Sequence, residues 1–251
     1  MKEHGESGLE LIYPQWPAPI QVKAVSTTRL GGVSAPPYDS LNLGDHVGDD
    51  PVDVATNRTL LTNALNLPAE PAWLNQVHGN DVVAAETVTT PVTADAAYTN
   101  KSGYICVVQT ADCLPVLLCD QAGTVVAAVH CGWRGLVQDL LEVTIARMDC
   151  DPAEILAWLG PAIGPDVFEV GDEVKLAFCE LNPAYAACFH PSPAGRWLAD
   201  IYYLARLQLQ SLGVNAIHGG EWCTLSESDR FFSYRRAHPT GRMASFIWLN
   251  A

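Results

Sequence analysis

AVHCGWRG, residues 128–135, places a histidine and a cysteine side by side where an apolar run breaks into glycines. Successive side chains of an extended chain point to opposite faces. His130 and Cys131 are therefore expected to face different surroundings, one toward the chemistry and the other away from it. The residues before them, TVVAAVH at 124–130, read as a strand. Those after them, LVQDLLEVTIARM at 136–148, read as a helix with Leu136, Leu140, Val143 and Met148 near one face. Backbone N–H groups at the start of that helix suit an anion, and Arg134 either adds charge there or anchors a loop.

Working outward, further strand-like runs are VKAVSTT from Val22, YICVVQT from Tyr104, LPVLLC from Leu114 and EILAWLG from Glu154. Helices are expected over VDVATNRTLLTNAL (52–65), GDEVKLAFCELN (171–182) and RWLADIYYLARLQLQSLG (196–213), the last stopped by Gly213. Strands cluster in the middle of the chain without steady β-α-β alternation, which predicts an α+β fold with mixed sheets. No repeat or linker divides residues 1–251, so a single domain is expected. GPAIG at 160–164 reads as a tight turn with close backbone packing. STTRLGGVSAPPYDSLNLG at 26–44 is a long irregular segment carrying Arg29 and Asn42, suited to a ligand or to a surface Ω-loop.

A chain that is 49% hydrophobic and 17% charged describes a soluble globular protein. Its net charge of −14 argues against nucleic-acid polymers and anionic membrane surfaces as partners. Ten of the fourteen basic residues are arginine, and Arg230, Arg235, Arg236 and Arg242 crowd one C-terminal stretch. That crowding suits bidentate capture of phosphate or carboxylate, or salt bridging to an acidic surface. The start, MKEHGESGLELIYPQWP, lacks an apolar core of signal-peptide length, and the eight cysteines form no C-x-x-C pair. A cytoplasmic protein with reduced thiols and no knuckle-type zinc is expected. No apolar run approaches the roughly 18 residues that span a bilayer.

Three segments offer metal-capable side chains: His78 in NQVHG, Cys113 in TADC and His130 in AVHCGWRG. They lie thirty-five and seventeen residues apart, so only the fold could assemble them. Histidine and cysteine together suit zinc, and three protein ligands leave one tetrahedral position for a reactant. Taken singly, each has a plainer role, as a hydrogen-bonded histidine or a small core thiol. A second scheme makes Cys113 a nucleophile and His130 its base, oriented by Asp112 or another polar group. The schemes part at His78, which a Cys-His dyad does not require. The chain has no H-x-E with P-C-x-x-C, no P-loop and no well-placed G-x-G-x-x-G.

At NQVHG, TADCLPVL, AVHCGWRG, LGPAIGP and FFSYRR…GRMASFIWL the chain closely resembles the bacterial YfiH family, the laccase-domain or polyphenol-oxidase-like proteins. The resemblance runs from PQWP at 14–17 to SFIWLN at 245–250. It implies layered mixed sheets flanked by helices, in α/β/β/α order, and a zinc site on His78, Cys113 and His130. It also implies phosphorolysis of adenosine, inosine, guanosine and methylthioadenosine, with adenosine deamination alongside, in a monomer or homodimer. Arg29, Asn42, Arg235 and Arg236 are then candidates for contacts to nucleoside and phosphate. Where the family commonly reads H-A-G-W-R-G, this chain has Cys131, a thiol that would close the open position if it reached the metal. The copper-oxidase name fits poorly, since seven histidines with no H-x-H pair cannot house a multinuclear centre. Copper binding in vitro would report affinity alone. A cysteine-dependent hydrolase editing peptidoglycan precursors, a copper-binding polyphenol oxidase and a non-catalytic nucleoside-binding module are the alternatives.

Overall fold

In the computed structural model, which describes residues 8–250, the strand ending at Cys131 lies inside a six-stranded sheet. The order across that sheet is Ala216–Gly219, Ile155–Leu159, Leu114–Asp120, Val126–Cys131, Ala96–Thr99 and Val82–Ala84. Its outermost pairs are parallel and its inner pairs antiparallel. A second, antiparallel sheet orders Leu11–Ile12, Val22–Thr27, Met243–Leu249 and Ile105–Thr110.

Every residue of Leu114–Asp120 and Val126–Cys131 is buried, which is why these strands are almost continuously apolar in sequence. Alternation still sorts their side chains. Leu114, Val116, Leu118, Ala127, Val129 and Cys131 pack with Leu140, Ile145, Phe178 and Leu204 from the helices. Leu117, Cys119, Val126 and Ala128 turn the other way, onto Cys106, Val108, Met243 and Ile247 of the second sheet. The outer face of that sheet presents Val25, Val107, Phe246 and Trp248 to a cluster containing Leu61 of the helix Pro51–Leu65. The layers thus run helix, sheet, sheet, helix, the mixed α+β arrangement expected. At roughly 1.5–3 kcal/mol for each large apolar side chain buried, these three clusters carry the fold.

Local signals explain the element ends. Asp50 caps the helix Pro51–Leu65 by accepting from Val52 N at 2.8 Å, proline occupies its first turn, and Asn66 ends it in the left-handed region. The other helices differ from expectation in two places. The segment after Gly132 is two helices, Trp133–Val137 and Leu140–Met148, broken by Asp139 at φ 60°. Arg196–Ala199 is a strand paired with Phe189–Ser192, and the helix Ile201–Ser211 begins only after Asp200, which accepts from Tyr203 N at 2.9 Å. Met243–Leu249, not expected as a strand, is fully buried inside the second sheet.

The GPAIG turn does pack closely: a Cβ on Gly160 would lie 2.8 Å from both Pro115 Cγ and Trp158 Cζ3. The eight cysteines are all free thiols. Among the described residues no helix is long and apolar enough to cross a membrane. Part of the opening stretch read for a leader, residues 1–7, lies outside the described residues.

Candidate metal centre

The register of the two central strands decides which side chains meet. His130 is the cross-strand partner of Pro115, and Cys113 stands two residues before Pro115, so both belong to the face between the sheets. His78 arrives from a turn beyond the short strand Leu74–Asn75. The ligand atoms of His78, Cys113 and His130 all lie within 4.8 Å of one another. Cys113 Sγ is 3.6 Å from His78 Nε2, and the two imidazole rings meet edge to face.

Asp95, which the sequence reading passed over, holds this group together. Its fully buried carboxylate accepts from His130 Nδ1 at 2.8 Å and from the backbone amides of Val77, His78 and Gly79 at 3.2, 2.9 and 2.7 Å. One carboxylate therefore holds His130 through Nδ1, turns its Nε2 toward Cys113 and fixes the turn that presents His78, the arrangement that supports metal-bound histidines. Burial opposes the charge on Asp95, yet the hydrogen bond and charge of His130, with the amides of Gly79 and Val77, hold its carboxyl below the usual carboxylate range. Burial likewise opposes ionisation of Cys113. The charge of His130, followed by hydrogen bonds from His130 and His78, outweighs it and draws the thiol down to about 6.

Backbone shape completes the group. His78 at φ 62° and Asp112 at φ 88° occupy the left-handed region, which costs a non-glycine residue on the order of 1–3 kcal/mol. Asp95 offsets this at His78. At Asp112 the carboxylate oxygens accept from Thr224 Oγ1 and Arg235 N, both at 2.7 Å. Asp112 thus ties loops together, and Asp95 is the carboxylate that orients the histidine. A Cβ on Gly132 would lie 2.8 Å from His78 Cδ2 and 3.2 Å from Cys113 Sγ, so only glycine leaves this space open. One sulfur and two imidazole nitrogens converging on such a space fit a borderline-soft cation.

Cys131 takes no part. It is fully buried among the helix-facing apolar residues, on the opposite face from His130. Burial, with the charges of Cys113 and Asp95, pushes its thiol well above the ordinary range.

The three side chains open onto a cavity of about 510 Å³, a size ordinary for small-molecule sites. Trp133, Phe168 and Tyr234 give it aromatic walls, and Arg134, Arg235 and Arg242 give it charge. The other sequence candidates sit elsewhere. Arg29 pairs with Asp39 at 3.1 Å and donates to Ser228 O, outside the cavity lining. Arg236 donates to the carbonyls of Thr224, Leu225 and Phe231. Asn42, fully buried, bonds Gly44, Asp49 and the backbone N of Arg242. Of the four, only Arg235 reaches the cavity, and its Nη1 donates to Glu169 O at 2.8 Å.

This layered fold, with a His-Cys-His group at its strand ends, defines the class. Residues 23–250 match the family described as multi-copper polyphenol oxidoreductase laccase. The chain is 55% identical over 96% of its length to the purine nucleoside phosphorylase YfiH of Escherichia coli, 99% of which is covered. A crystal structure of a Neisseria meningitidis protein of the DUF152 family superposes with a TM-score of 0.93 at 51% identity, covering 96% of this chain and 99% of that one. YlmD from Geobacillus stearothermophilus superposes at 0.91 with 30% identity, covering 100% and 99%. The chain belongs to the YfiH family of laccase-domain proteins.

Proposed function

We propose that this protein is a zinc-dependent purine nucleoside phosphorylase that also deaminates adenosine, with residues 1–251 forming one catalytic domain. The observation that carries this reading is the convergence of His78, Cys113 and His130 on one cavity with aromatic and cationic walls. It occurs in a chain closely similar to proteins named purine nucleoside phosphorylase. His78, Cys113 and His130 would hold the metal, which when bound supplies a Lewis acid beside the substrate. Asp95 holds His130 through Nδ1 and turns its Nε2 toward Cys113. Trp133, Phe168 and Tyr234 offer flat apolar faces of the kind that hold a purine ring. Arginines at the cavity neutralise phosphate as it approaches the ribose. Among the described residues a single His/Cys/carboxylate cluster suits a metal, which argues against a multinuclear copper oxidase.

The test is to incubate metal-loaded protein with adenosine and phosphate and to separate adenine, inosine and hypoxanthine. Adenine formed with equimolar ribose-1-phosphate is the expected result, and inosine marks deamination. Absence of any purine product contradicts the reading.

A cysteine hydrolase is the second reading, favoured by the lowered Cys113 thiol beside histidines and by Asp95 behind His130. It predicts an acylated Cys113 after incubation with peptidoglycan-type amides, visible by mass spectrometry, and activity that survives His78→Ala. Loss of metal and of all turnover in that variant rejects it.

A further inference from the structure

The arginines lining the cavity, Arg134, Arg235 and Arg242, and those beyond it differ in what already occupies them. Arg230 is matched by Glu10 and Glu227 at 2.8 and 3.0 Å, and Arg29 by Asp39. Arg236 is bound to three carbonyls. Arg134 and Arg235 are exposed, the former stacked on Trp133.

Arg242 is the exception. It is largely withdrawn from solvent and lines the cavity, and its guanidinium donates through Nη1 alone, to Thr240 O and Gly241 O at 2.9 and 3.0 Å. Among the described residues no carboxylate lies within 4.0 Å of it. Asp112, also in the cavity lining, has both oxygens engaged by Thr224 and the Arg235 amide. Nε and Nη2 of Arg242 are left with no protein acceptor, in the fork geometry that matches an oxyanion.

The rest of the residue is held in place. Its backbone N donates to buried Asn42 Oδ1 at 2.9 Å, and a Cβ on Gly44 would lie 2.8 Å from its Cγ. A cation partly withdrawn from water with two carbonyls and the Tyr234 ring, 5.9 Å away, but no carboxylate beside it is costly. Burial lowers the pKa of this guanidinium, and the charges of Cys113, Tyr234 and Asp112 act in the opposite direction. An anion arriving in the cavity would relieve that cost beside Cys113.

We propose that Arg242 anchors the phosphate co-substrate, with Asn42 as its positioning residue; this rests on the phosphorolysis reading. In that reaction a phosphate oxygen bonds to C1′ of the nucleoside as the C1′–N9 bond breaks. The electron pair leaves on the purine, which takes the proton that hydrogenphosphate gives up. A guanidinium holding two phosphate oxygens leaves another free to attack.

The experiment uses metal-loaded wild type, Arg242→Gln and Arg242→Lys with adenosine and inorganic phosphate. In Arg242→Gln the phosphate KM is expected to rise about 10- to 100-fold while the adenosine KM and zinc content stay within about twofold. Arg242→Lys recovers part of that loss, since charge remains and the fork does not. An unchanged phosphate KM in Arg242→Gln overturns the proposal. Should that variant fail to fold or lose zinc, a wild-type phosphate KM in Arg242→Lys overturns it instead. Stabilisation by inorganic phosphate, read as a rise in Tm without turnover, separates this subsite from the assigned reaction. A rise in wild type that Arg242→Gln lacks supports the subsite even where no purine is released. An equal rise in both, or none in wild type, overturns it.

Discussion

Cys113 and Cys131 come from neighbouring strands of one sheet, where Leu114, next to Cys113, is the cross-strand partner of Cys131. Cys113 precedes its strand on the face between the sheets, with a thiol drawn down to about 6 against the effect of burial. Cys131 ends its strand on the helix-facing side, fully buried, with its thiol pushed well up. Burial acts in the same direction on both. What separates them is the side-chain alternation of a strand, which gives one thiol two histidines and packs the other among apolar side chains, with no cation to favour its ionised form.

The largest effect should come from breaking the reactive side of this pair. Cys113→Ala is expected to abolish stoichiometric zinc binding and to lower kcat/KM by about 10³-fold or more, checked by metal analysis and steady-state kinetics. Cys131→Ala should keep both within about twofold. Activity lost equally in the two variants would mean that alternation does not separate the thiols.

Asp95→Asn comes next. An amide cannot carry the charge that holds His130 Nδ1 while also accepting from the turn amides at Val77, His78 and Gly79. Zinc affinity should fall about 10- to 100-fold in a competition titration against a chelator of known strength. Gly132→Ala should cost about as much affinity, because its Cβ would press on His78 Cδ2 and Cys113 Sγ. Unaltered affinity there would show that the cradle has room to spare.

The smallest effect belongs to the core thiol. Cys131→Ala removes a buried sulfur from a packed cluster and should lower stability by about 1–2 kcal/mol, read as a shift of a few degrees in Tm.

The same contrast marks how far the sequence could be read. The central strands stood out because β-branched and apolar runs buried on both faces leave a strong local signal. The opposition of His130 and Cys131 followed from strand geometry alone. Asp95 left no such signal: a lone aspartate in TADAAYT, it has neither a ligand-type neighbour nor a spacing that marks its role. Its role depends on a contact thirty-five residues away in sequence.

Crowded arginines were visible, but crowding does not say which guanidinium a carbonyl or carboxylate already holds. Arg236 and Arg242 sit six residues apart, and only Arg242 lines the cavity. The helix boundaries were misplaced for a related reason. Periodicity continues across Asp139 and across Arg196–Ala199, where a left-handed residue and a strand pairing override it.

The central claim, that three distant side chains share one metal ion and Cys131 does not, is most directly tested by X-ray absorption at the zinc edge. The zinc-loaded wild type and Cys131→Ala should both show one zinc per chain with one sulfur and two imidazole neighbours. A second sulfur in the wild type that disappears in Cys131→Ala, or a metal shell lacking sulfur altogether, would contradict the account.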